Sequence, residues 1–218
     1  MLKDWLEAML SLLFPQRCPA CRKWLDGRGW CQDCMARIAK VSQVALAVHN
    51  LTALDECMAV ADYTGSVQRL IRDMKFRHAT KHSERLSQLL DYAIGPNRYQ
   101  GIDAVVPVPL HKDRLKERGF NQTVLIFKPW AARQGLFWLD ALVRIRPTAP
   151  QWELSLKERR KNSKGAFSVT RPEAVVGKSI LLVDDILTSG ITMEECSKVL
   201  KQAGAVAVKG LALASGAR

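Results

Sequence analysis

The chain has 218 residues, 48% of them hydrophobic, with 33 Lys and Arg against 21 Asp and Glu, a formal net charge of +12 and a pI near 9.7. That length fits one medium domain with a small appendage, and the composition is that of a globular chain with a real core. No stretch approaches the roughly 20 apolar residues of a bilayer span, so no integral membrane span is expected, and a pI this high points to polyanionic partners.

Leu2, Trp5, Leu6, Met9, Leu10 and Leu13, interrupted by Lys3, Asp4 and Glu7, predict an amphipathic helix. No small-residue cleavage site follows, so it is not a signal peptide; it packs on its own domain or attaches to a membrane surface. Next come Cys18-Pro-Ala-Cys21 and Cys31-Gln-Asp-Cys34, two CxxC knuckles nine residues apart with Gly27 and Gly29 to turn the chain. Four thiolates around one tetrahedral ion is the arrangement of structural zinc, with a redox dithiol pair or an iron site as the alternatives. A closed four-ligand ion has no open position, so no catalysis is assigned to it. Free thiolates kept for zinc, with no signal peptide, predict a cytoplasmic protein. Residues 1–40 therefore read as one region, the amphipathic helix and the zinc knuckles, and residues 41–218 as a second domain.

Further along, residues 57–63 read as a strand. A helix follows with Val67, Leu70, Ile71 and Met74 on one face, then a second helix ending near Gly95-Pro96. His78 and His82 have i,i+4 spacing but no third ligand nearby, and read as surface residues. Residues 102–108 predict a buried strand, 119–134 a helix, and 142–146 and 166–170 two more strands. A strand at 180–183, a helix after residue 190 and a last strand at 205–212 complete the chain. Alternating strands and helices imply a parallel sheet with the ligand at the strands' carboxyl ends.

The segment Ser-Ile-Leu-Leu-Val-Asp-Asp-Ile-Leu-Thr-Ser-Gly-Ile-Thr, 179–192, carries the most chemistry. The run 180–183 suits a strand buried on both faces. Asp184 and Asp185 follow at its carboxyl end, then Thr188-Ser189-Gly190, Ile191 and Thr192. Cys196, Val199, Leu200 and Ala203 recur at helical spacing, so the loop opens a helix, with Cys196 as an inert core residue. The unpartnered amides and dipole of a helix N-terminus favour an anion. Gly190 would let backbone approach a phosphate closely, and the three hydroxyls add donors. The aspartates can accept from ribose hydroxyls or hold Mg²⁺ through water. A Walker P-loop would need lysine where Ile191 stands. A receiver-domain acidic pair would sit on the first strand, and only 33 residues follow Asp185.

Four apolar residues, two acidic residues and a T-[ST]-G-x-T loop resemble the phosphoribosyl pyrophosphate (PRPP) motif of type I phosphoribosyltransferases. Pro107-Val-Pro-Leu110, Arg118-Gly-Phe-Asn-Gln122, Gln151, Leu154-Ser155, Arg159-Arg160-Lys161-Asn162 and Gly165-Ala166-Phe167, in this order after the zinc knuckles, resemble the ComF family over nearly the whole chain. The stretch 160–165 is more basic than that family's pattern. The resemblance implies an α/β fold, a type I phosphoribosyltransferase-like parallel sheet flanked by helices over residues 41–218, with the small zinc-binding region before it. It implies that Asp184 and Asp185 bind the ribose at the catalytic centre and that Thr188, Ser189, Gly190, Ile191 and Thr192 take the 5′-phosphate. Pro109 and Leu110 would occupy the pyrophosphate-loop position, and residues 144–166 the loop that closes over substrate. Lys75, in a Met-Lys-Phe stretch, would reach the site or else be a solvated helix-end lysine. The function implied is uptake and processing of DNA in natural transformation, with PRPP and Mg²⁺ at the site and a helicase-like uptake motor as partner. The alternative is an active phosphoribosyltransferase of nucleotide salvage or nucleobase metabolism that moves ribose 5-phosphate from PRPP to an acceptor.

Charge separates the two. Residues 144–166 hold seven basic side chains against two acidic ones, and Lys112, Arg114, Lys116 and Arg118 stand against Asp113 and Glu117. Trp152 and Phe120 interleave with them, which suits stacking on bases. Arg114, Arg118, Arg159, Arg160, Lys161 and Lys164 are therefore the candidate contacts to single-stranded DNA. A basic surface serving PRPP alone is the plainer reading.

Overall fold

The computed structural model describes residues 16–147, apart from 26 and 28, and residues 156–216. The helix expected before Leu13, the stretch Gln151 to Ser155 and the side chains of Arg159 and Arg160 lie outside the described residues. Strands β1 (Gln16–Arg17) and β2 (Trp24–Leu25) pair as a small antiparallel ribbon, followed by helix α1 (Gln32–Ile38). Then come β3 (Ser42–Gln43), β4 (Glu56–Asp62), α2 (Gly65–Arg77), α3 (His82–Ala93), β5 (Ala104–Pro107), α4 (Lys112–Arg118) and α5 (Gln122–Arg133). The rest is β6 (Leu142–Arg144), α6 (Leu156–Ser163), β7 (Phe167–Val169), β8 (Ser179–Leu187), α7 (Ile191–Gln202) and β9 (Ala207–Ser215).

The sheet has the order β3-β4-β9-β8-β5. Its neighbours are parallel except that β3 lies antiparallel on the edge of β4. Both faces are covered, which is why β8 is apolar without alternation. Leu181 and Val183 pack into a core with Val67, Ile71 and Met74 of α2, Leu86 and Leu90 of α3, and Phe127 and Trp130 of α5. Ile180 and Leu182 face the other core, with Met193, Cys196 and Leu200 of α7 and Phe167 of β7. The four α2 residues expected on one face, Val67, Leu70, Ile71 and Met74, are all buried. Cys196 is buried in the core as its spacing predicts.

Four expectations change. The helix predicted over 119–134 starts later, at Gln122, because Gly119 (φ 80) closes α4 and Asn121 caps α5. The strands predicted at 142–146 and 166–170 pair with each other as a separate antiparallel ribbon, β6 with β7, rather than joining the parallel sheet. Val143 and Ile145 stay exposed and the ribbon faces are only half-buried, unlike the doubly covered strands β8 and β9. The strand predicted to stop at Val183 runs on through both aspartates to Leu187, held by β9, while β5 pairs no further than Val183. His82 is buried rather than a surface residue, its Nε2 3.9 Å from Asp73.

The cysteine ribbon is seated on α2 and α3. Cys18, Trp30, Cys34 and Ala39 share one apolar cluster with Leu86, Leu89 and Leu90. Trp30 Nε1 donates to the Arg85 carbonyl (2.7 Å), Arg85 donates to Gln16 Oε1 (2.9 Å), and Arg69 donates to the Pro19 carbonyl. Among the described residues no helix is long and apolar enough to cross a membrane.

Candidate functional site

The four cysteines come together. The Sγ atoms of Cys18, Cys21, Cys31 and Cys34 lie within 4.8 Å of one another, with Cys21 and Cys31 at 3.6 Å. A zinc–sulfur distance of about 2.3 Å in a tetrahedron separates neighbouring sulfurs by roughly 3.8 Å, so the donor set fits structural zinc. Local backbone builds each half. Cys18 N donates to the Lys23 carbonyl (2.9 Å) and Arg22 N to the Cys18 carbonyl (3.0 Å), with Arg22 at φ 66, which wraps the first knuckle. Cys31 is the N-cap of α1 and Cys34 lies one turn on, which places both thiols on one side of the helix. Arg37 donates to Cys34 Sγ at 3.5 Å.

The acidic pair lies where β8 outruns β5. Asp184 Oδ1 accepts from Thr123 Oγ1 (3.2 Å) and from the Asp185 amide (2.8 Å). Asp185 Oδ2 is ion-paired with Lys75 Nζ at 2.7 Å, the two side chains 4% and 20% exposed. The helix-end lysine thus reaches the acidic pair. Burial first, and then the charge of Asp185, push the Asp184 carboxyl up to about 8, against a helping charge on Lys75. Two arginines sense the pair from other segments. Burial depresses both Arg118 and Arg144, opposed by Asp185 at the first and by Cys196 and Asp184 at the second. The Arg144 guanidinium lies 5.3 Å over the Phe167 ring. Tyr63, just past β4, is raised by burial and feels both Lys75 and Asp185.

Beyond Leu187 the chain turns into α7. Gly190 is its N-cap with φ 72, and Thr192 stands in the first turn. Ser189 Oγ is buried with no hydrogen-bond partner among the described residues, while Thr188 is exposed. Ile191 is buried. The close approach that Gly190 permits is made by Leu51. A Cβ there would lie 2.5 Å from Leu51 Cδ1, so Leu51 backs the loop from within. Buried Glu194 holds that backing, accepting from Thr52 Oγ1 (3.0 Å) and the Ala53 amide (3.0 Å).

Pro109 and Leu110 follow Val108, whose amide donates to the Val183 carbonyl (2.9 Å), so they border the same sheet end. Asn121 Nδ2 donates to the Val108 carbonyl (3.1 Å), which brings the stretch 118–122 against it. The basic residues divide. Arg114 pairs with Glu117 at 3.0 Å on the exposed side of α4, whereas Arg118 donates to Gln122 and senses Asp185. Lys161 and Lys164 line a cleft of about 580 Å³ with Ile191, Glu195 and Lys198 of α7, to which no residue of α4 contributes. Sequence reasoning missed Thr123, Leu51 and Glu194, and read Arg144 only as one of the basic run 144–166. Thr123 had one signal, its place directly after the Arg118–Gln122 stretch; Leu51 against Gly190 and Glu194 on Thr52 and Ala53 join segments some 140 residues apart and had none.

Two family models match, a double zinc ribbon domain over residues 9–45 and a phosphoribosyl transferase domain over residues 132–217. The chain is 31% identical to "DNA utilization protein YhgH" of Salmonella typhimurium, over 91% of this chain and 96% of the relative. It is 36% identical to the Escherichia coli K12 protein of that name over 70% and 68%. It is 30% identical to "Competence protein F" of Haemophilus influenzae over 90% of each. With its cysteine cluster, its parallel sheet and relatives that span nearly its whole length, the chain belongs to the ComF family.

Proposed function

We propose that this protein binds PRPP with Mg²⁺ at the carboxyl end of β8 and serves the handling of incoming single-stranded DNA. The observation that carries the reading is the acidic pair standing free of β5, with Lys75 on Asp185 and the helix-opening turn 188–192 beside it. Ribose hydroxyls would donate to Asp184 and Asp185. The 5′-phosphate would take the amides and hydroxyls of Thr188, Ser189 and Thr192 at the start of α7, and buried Ser189 Oγ would gain a partner there. Pro109 and Leu110 would face the pyrophosphate. Mg²⁺, held through water by the two aspartates, would neutralise pyrophosphate charge. The role in DNA follows the names of the relatives, and Lys161, Lys164 and the remaining basic residues supply charge for a polyanion. A helicase-like motor is the partner such a role calls for.

A second reading, phosphoribosyl transfer, is favoured by the match to a phosphoribosyl transferase domain. In it the bond from ribose C1 to pyrophosphate breaks, a bond to the acceptor forms, and pyrophosphate leaves. The protein's share is positioning and charge stabilisation. Calorimetry with PRPP and Mg²⁺ tests the common step. The wild type should bind, and the Asp184→Asn/Asp185→Asn variant should not while keeping its circular dichroism; unchanged affinity would make the turn purely structural. Release of pyrophosphate with candidate acceptors separates the two readings.

A further inference from the structure

We infer that Thr123 is a positioning residue for Asp184, its hydroxyl turning the carboxylate so that one oxygen is left for the ligand. The inference rests on the ribose-phosphate reading for what that ligand is. Thr123 is 1% exposed in the first turn of α5. Its backbone is tethered through Asn121. Its amide donates to Asn121 Oδ1 (3.0 Å), and Asn121 in turn donates to the Val108 carbonyl at the end of β5 (3.1 Å). So anchored, Thr123 Oγ1 donates to Asp184 Oδ1 at 3.2 Å, across a gap in the sheet where β5 has ended and β8 continues. The second donor, the Asp185 amide at 2.8 Å, goes to the same oxygen. Both therefore converge on Oδ1, which sets the plane of the carboxylate and leaves Oδ2 as the oxygen for an incoming hydroxyl or hydrated cation. The charged and titratable groups around it are Asp185, Lys75, Arg144 and Cys196.

Packing does not account for a hydroxyl here. At a site this buried a valine of the same shape would avoid the desolvation cost of an unpaired hydroxyl, so the oxygen is explained by its partner. That contrast supplies the test. Thr123→Val keeps the shape and removes the donor; Thr123→Ser keeps the donor and removes a methyl. If the hydroxyl positions Asp184, the Val variant binds PRPP–Mg²⁺ about tenfold more weakly, roughly 1.4 kcal/mol, with no fall in melting temperature. The Ser variant then binds within about twofold of wild type, the usual scatter of a small packing change. The opposite order, Val like wild type and Ser impaired, overturns the inference in favour of packing. A second measurement stands free of PRPP. The ¹³Cγ resonance of Asp184, assigned with Asp184→Asn, should move in Thr123→Val and return in Thr123→Ser. A resonance unmoved in the Val variant overturns the inference even if the wild type binds PRPP. A wild type that fails to bind PRPP while the resonance moves overturns the ribose-phosphate reading and leaves the positioning role standing.

Discussion

The cysteine ribbon and the turn from β8 into α7 are both short polar loops, yet different forces hold them. The ribbon buries little of its own: Cys18, Trp30, Cys34 and Ala39 complete a core that belongs to α2 and α3. Its shape depends on four sulfurs, and for peptides of that kind the metal contributes about 10–16 kcal/mol of folding free energy. The turn is held from below, by β9 along the strand, by Leu51 behind Gly190 and by Glu194 on the 52–53 backbone. What stays unbalanced there is charge rather than shape, two adjacent carboxylates met by Lys75, Arg118 and Arg144. The ribbon's four sulfurs are set to take an ion, whereas a turn imposed by the core can carry charges that would not otherwise be tolerated.

The largest test of that contrast is removal of metal ligands. Cys31→Ser/Cys34→Ser should lower zinc from about one equivalent per chain to none and cut the melting temperature sharply, because Trp30 then leaves the face of α3. Full zinc retained in metal analysis would sink the ligand set. Next is Gly190→Ala. With φ 72 and Leu51 in the way, it should cost about 1–3 kcal/mol in urea unfolding. Adding Leu51→Ala should recover only part of that, since the space is freed but the backbone conformation is not; no loss in the single variant would mean that the turn is not imposed from below. Asp184 is separated by pH rather than by shape. Its carboxyl titrates near 3.8 unfolded and is pushed up to about 8 in the fold. The folded protein therefore holds this proton more firmly, and the group's contribution to stability falls as pH rises between those values. Asp184→Asn should thus gain on wild type from pH 5 to 8 in Mg²⁺-free urea melts; parallel curves would mean an ordinary carboxylate. Smallest is Lys161→Ala/Lys164→Ala. Fluorescence anisotropy should show weaker single-stranded DNA binding, with the log–log salt slope flatter by about 0.7 per lost contact. An unchanged slope would remove the α6–α7 cleft from the DNA path.

Much of this was legible because it is local. The CxxC pairs state their own geometry, and an apolar run ending in Asp184-Asp185 with Ser189-Gly190 beyond reads directly as a strand and a helix start. What failed to read depends on distant chain. The segments around Val143 and Ser168 look like sheet strands, since pattern alone does not reveal that they pair with each other, with a single bridge from Arg144 to His111 beside them. Residues 119–134 read as one helix because Gly119 was counted inside it rather than as the close of α4. Leu51 behind Gly190 and Glu194 on Ala53 join segments some 140 residues apart, and no spacing rule reaches that far. Lys75 was legible only as a lysine that could reach; that it rests on Asp185 is a fact of how α2 crosses the sheet.

Helix α2 has a consequence for dissecting this protein into pieces. Near its middle Arg69 holds the Pro19 carbonyl, inside the first cysteine knuckle, and six residues later, about 9 Å along the axis, Lys75 holds Asp185. A fragment cut after the ribbon would retain the whole sheet yet expose Leu86, Leu89 and Leu90 and release the tether at the middle of the helix that delivers Lys75. Ligand affinity measured on such a truncation would report a loosened strut along with the binding site. The two segments are best compared by point substitution in the uncut chain.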